Sequence, residues 1–160
     1  MAPNLLVALL NRFKVASVFA ALLLPGSRAV FAQTLAVSGN PAALKITAAV
    51  AGSQPTSVSN NLTTYTVVTP NPANRTYKIT AQLTAPMPTN VTLTVTLAAP
   101  AGATSVGPVA LDMTARDVVT GIPRSTNATR AITYQLSATV LAGVIASTNR
   151  SVLLTVLKFP

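Results

Sequence analysis

Only two side chains in this 160-residue chain carry a carboxylate, Asp112 and Asp117, and there is no Glu, His or Cys. Without thiols or imidazoles there is no disulfide, thiolate chemistry, zinc–thiolate site or imidazole base. A carboxylate pair for acid–base work must come from these two residues. They stand five positions apart, and on a regular strand an odd spacing puts them on opposite faces. Two carboxylates also fall short of the roughly 6–8 oxygens that Ca²⁺ takes. Their expected role is in surface ion pairs, Asp117 with Arg116 or with a base across a strand, each worth ~0–1 kcal/mol. A Ser–Lys dyad using Lys45, Lys78 or Lys158 is the one hydrolytic arrangement left formally open. No spacing selects it, and Lys45 and Lys78 fall at outward positions of alternating segments. No Gly-rich phosphate loop is present. The expectation is a protein that is not an enzyme and has no cofactor and no metal.

Binding chemistry has more to work with. Eleven bases against two acids give a formal charge of +9. Arg116, Arg124, Arg130 and Arg150 lie in the C-terminal half, with Arg75 and Lys78 further back. Clustered, they would contact a polyanion such as acidic polysaccharide, nucleic acid or anionic lipid headgroups. Scattered, they only solubilise a chain poor in acids. Nucleic acid is disfavoured, because its readers interleave bases with exposed aromatics and this chain has no Trp and 4% aromatic residues. The same shortage weighs against stacking of sugar rings. Asn61, Asn74, Asn90, Asn127 and Asn149 each open an N-x-S/T sequon and are glycosylation acceptors if the chain is exported from a eukaryotic cell.

Export is the expectation from the N-terminus. Arg12 and Lys14 precede the apolar run Val15–Leu24, Pro25 and Gly26 break it, and Val30-Phe31-Ala32 puts small or β-branched residues before Gln33. That is the pattern of a secretory signal peptide over residues 1–32; a cut after Ala29 is the second choice. The alternative is an uncleaved membrane anchor, but ten helical residues span about 15 Å, half a bilayer core. Removal of residues 1–32 leaves a single domain, 33–160, with eight bases and two acids. The expected location is secreted, periplasmic or at the cell surface.

The elements that must carry these residues read as strands. Thr occurs 23 times, and β-branched residues suit a pleated, half-buried surface. Period-two alternation is clearest in Val91–Leu97, with apolar odd positions and threonines between them. Leu44–Val50, Tyr77–Leu83 and Ile132–Val140 repeat it. Leu35–Ser38, Leu62–Thr69, Val109–Thr120 and Ser151–Leu157 are weaker; Val118, Val119, Leu153 and Leu154 break the alternation, which implies cover on both faces. Segments rich in Gly, Pro, Asn and Ser separate the runs: 39–41, 52–61, 70–74, 86–90, 100–107, 121–130 and 142–148. Seven to eight short strands at this spacing predict an all-β fold, an antiparallel β-sandwich or small barrel.

From about residue 40 to 157 the order of runs resembles bacterial secreted immunoglobulin-like and fibronectin-III-like sandwiches, most of all in Ala131–Val140, a loop and a final strand. The resemblance implies an immunoglobulin-like β-sandwich. It also implies that Tyr134 is the tyrosine of the penultimate strand, its hydroxyl bonded to nearby backbone. The Cys–Trp–Cys signature of antibody-type domains is missing. A transmembrane barrel is a rival, with only Tyr65, Tyr77, Tyr134 and Phe159 to build its aromatic girdles. The expected function is a structural or adhesion-type extracellular module that self-associates through edge strands. Gln33–Val50 is either an added strand for another copy or a strand of its own domain. The alternative is a polyanion- or glycan-binding domain.

Overall fold

Leu93, Val95 and Leu97 are fully buried, while Thr92, Thr94 and Thr96 face outward. That alternation, repeated from strand to strand, builds two apolar sheet faces that must cover each other. The computed structural model describes residues 15–16, 32–71 and 75–159. The elements are β1 (Val15–Ala16), β2 (Thr34–Ser38), β3 (Val58–Val68), β4 (Thr76–Leu83), β5 (Val91–Leu97), β6 (Thr104–Ser105), β7 (Val109–Ala110), β8 (Arg116–Ile122), β9 (Asn127–Ala138) and β10 (Val152–Phe159). A single 3-10 turn, Val140–Ala142, follows β9.

One antiparallel sheet runs β2-β3-β9-β5-β7 and the other β10-β4-β8-β6, with the two-residue β1 lying parallel against Val152 and Leu153 of β10. The sheets share one core. Tyr65, Val67, Leu93, Val95, Ile132, Tyr134 and Leu136 come from the first; Tyr77, Ile79, Val118, Val119, Ile122, Val152 and Leu154 come from the second. Each sheet ends in edges instead of closing on itself, so this is a sandwich and not the barrel considered as a rival. Of residues 1–32, which the sequence pattern suggests as a signal peptide, only 15, 16 and 32 fall within the described residues.

Three local departures from the sequence reading have physical causes. Leu44–Val50 is not a strand: Leu44 makes an isolated bridge and the rest is irregular. Leu44 and Ile46 are nonetheless each 1% exposed, so two apolar residues plug the core without a ladder beside them. In β3 the pairing steps from Asn60↔Tyr134 to Thr63↔Ile132. The extra residue is a bulge that re-phases the strand. It leaves Leu62 exposed, its N–H bonded to Asn60 Oδ1 at 3.2 Å, and turns Thr63, Tyr65 and Val67 inward. In β8, irregular pairing around Ile79↔Val119 lets Val118 and Val119 both be buried. Val109–Thr120 therefore forms two strands, β7 and β8, separated by a loop. β6 lies inside a segment read as turn.

Candidate functional site

Each carboxylate is tied to its own base. Asp117, on β8, takes Lys78 of β4 across the sheet, Nζ to Oδ1 2.9 Å. Lys78 also lies over the Phe159 ring, 5.5 Å from its centroid. Arg116 pairs with Asp112 rather than with Asp117. Asp112 Oδ1 also accepts the Thr114 N–H at 2.8 Å. The Arg116 hydrogen bond, with help from this N–H, holds the Asp112 carboxyl below its ordinary value. Lys78 is thus committed to an ion pair, and Lys45 and Lys158 are exposed. Among the described residues no three His, Cys, Asp or Glu come together to hold a metal, and no helix is long and apolar enough to cross a membrane.

The four arginines singled out for polyanion contact separate into two pairs. Arg116 opens β8 opposite Ala81 near the end of β4. Arg150 precedes β10, its Nε donating to Pro86 O at 2.7 Å. Both lie at the end of the sandwich where β4 finishes. Arg124 lies in the β8–β9 turn and Arg130 near the start of β9, at the opposite end. There the loops interlock. Thr69 Oγ1 donates to Pro123 O at 2.8 Å, and the Thr126 N–H donates to Thr69 Oγ1 at 2.9 Å. A Cβ on Gly102 would stand 2.9 Å from Pro123 Cγ.

The same end gathers two bases that sequence spacing did not join to Arg124 and Arg130. Lys158 pairs with Tyr77, and Phe159 with Thr76, the residue after Arg75. Tyr77 in turn pairs with Ile122, two residues before Arg124. Arg130 shares the inward parity of Ile132 and Tyr134, so it sits at the mouth between the sheets. Its Nε donates to Ala99 O at 3.3 Å and its Nη1 to Thr129 O at 3.0 Å. Beneath it, opposite in register, the Tyr65 hydroxyl donates to Ala98 O at 2.6 Å. Burial pushes the Tyr65 phenol up to about 12 against the opposing pull of Arg130. Tyr134 is fully buried in β9, and burial raises its phenol too.

Asn61, Asn90, Asn127 and Asn149 are exposed, open to a modifying enzyme; Asn74 lies outside the described residues. Of Gln33–Val50, the part that forms a strand pairs within its own chain, Thr34↔Val68 through Ser38↔Thr64. No family model, curated protein or solved structure matches the chain.

Proposed function

We propose that the protein is a secreted or envelope-exposed, non-catalytic module, an immunoglobulin-like β-sandwich with a structural or adhesion-type role that associates through an edge strand. The observation that supports this is the inequality of the two margins of the sandwich. One margin ends in β6 and β7, two residues each, joined through Gly107 and Pro108. Strands that short offer almost no template. The other margin ends in β2 and in the eight-residue β10, which touch across the core. β10 reads Val-Leu-Leu-Thr-Val-Leu-Lys-Phe, with one charge and no proline. Extended, it spans roughly 26 Å. Its outer residues Leu157 and Phe159 are 40% and 38% exposed. An edge this long, apolar and unguarded pairs readily with another strand. It already takes Val15 and Ala16 in parallel, and these residues belong to the segment expected to leave as a signal peptide.

The occupant we assign is β10 of a second copy, related by a two-fold axis. Size-exclusion chromatography with light scattering on residues 33–160, over a concentration series, tests this. The expected result is a monomer–dimer equilibrium that Leu157→Lys weakens at least tenfold, with circular dichroism unchanged. A monomer at every concentration overturns the reading.

A further inference from the structure

The charge of the chain outside residues 1–32 is concentrated at one place. Its eight bases face two acids, and both acids are consumed, Asp112 by Arg116 and Asp117 by Lys78. Six bases, Lys45, Arg75, Arg124, Arg130, Arg150 and Lys158, have no acidic partner among the described residues. Four of these six, Arg75, Arg124, Arg130 and Lys158, gather at the end of the sandwich where β4 begins and β8 and β10 finish. No Asp or Glu lies in the loops there.

We infer that this end binds an acidic polysaccharide. Lys158, Arg75 and Arg124 follow one another across the strands β10, β4 and β8, two strand spacings or about 10 Å. Arg130 stands on the facing sheet, about 10 Å away. A single compact anion cannot reach all four, whereas a polymer with charges repeated along its length can. Three of the four are arginines, whose planar N–H fork matches carboxylate and sulfate groups. The two carbonyls that Arg130 engages fix it in place before any ligand arrives. Nucleic acid fits less well: there is no Trp, Tyr65 and Tyr77 are buried, and Phe159, partly exposed beside Lys158, already has the Lys78 ammonium over its ring, so free stacking platforms are scarce among the described residues. A lipid surface fits less well too. The described loop residues at this end, 70–71, 98–103 and 123–126, carry no large aliphatic side chain, and the partly exposed Val68 and Phe159 beside them are too little apolar surface to enter a bilayer.

The test is affinity for heparin, with salt-dependent elution, using the full chain at a concentration where light scattering shows a monomer, so that dimerisation adds no charge. Arg75→Glu/Arg124→Glu is compared with Lys45→Glu/Arg150→Glu, which makes the same change in net charge away from this end. About tenfold weaker binding is expected from the first pair and less than twofold from the second. Equal losses would mean diffuse attraction to net charge and overturn the inference. Tighter binding to double-stranded DNA, or to vesicles with anionic headgroups, than to heparin would overturn the polysaccharide assignment.

Discussion

Two buried tyrosines are expected to lower the stability of this protein in alkali. The Tyr65 phenol, pushed up to about 12, stays protonated in the folded chain while an unfolded chain loses its proton near the ordinary value of about 10. Between these pH values the folded state holds more protons, so stability falls as pH rises. The loss from Tyr65 builds up as pH rises from about 10 towards 12 and is complete above that value. Burial raises Tyr134 in the same direction, and it adds to the loss. Titration followed at the phenolate absorbance is expected to show these two phenols ionising only as the near-ultraviolet circular dichroism collapses. Smooth ionisation of Tyr65 and Tyr134 near pH 10 with the fold intact would contradict it. The burial of Tyr134 was legible in the sequence, since it sits on the apolar parity of Ile132–Val140, whereas Tyr65 lies in the weaker run Leu62–Thr69. That Tyr65 bonds the Ala98 carbonyl was not, because the partner arrives through β3–β9–β5 pairing.

Among elements, the loops that lock together at the basic end are the tightest fit. Gly102 has φ +79° and leaves no room for a Cβ beside the Pro123 ring. Gly102→Ala therefore combines a left-handed backbone with a clash against a ring that has little freedom to move. We expect it to cost about 1–3 kcal/mol, measured by urea unfolding. Gly52→Ala is the control: its φ is +80° but a Cβ there would meet nothing within 4 Å, so it should cost less. Strands with strict alternation were readable directly; the Val91–Leu97 reading matches β5 residue for residue. Leu44–Val50 misled because its first inward residues do bury, yet no neighbouring strand lies beside the rest. The β3 and β8 bulges were invisible because a register slip depends on the partner strand, and a single chain's pattern contains no partner.

At the scale of the whole molecule, excess positive charge opposes the compact state. With both acids already paired, the six remaining bases repel one another, and salt screens that repulsion. Raising NaCl from about 0.05 to 0.5 M should therefore raise the melting temperature by a few degrees in calorimetry; the two exposed or half-exposed ion pairs lose too little on screening to reverse the sign. A lower melting temperature in high salt would show that these pairs outweigh the repulsion. The basic end was only half legible. Arg124 and Arg130 are near in sequence and stay near in space, but Arg75 and Lys158 join them through the β10–β4–β8 pairing.

The difference between the margins also sets how association proceeds in time. A β10 that meets another β10 about a two-fold axis uses up the longest edges of both copies, and the edges that remain, the five-residue β2 and the two-residue β6 and β7, are too short to continue. Growth then stops at the pair. Scattered light should rise without a lag, level off at a plateau, and be indifferent to added seeds, unlike a nucleated fibre.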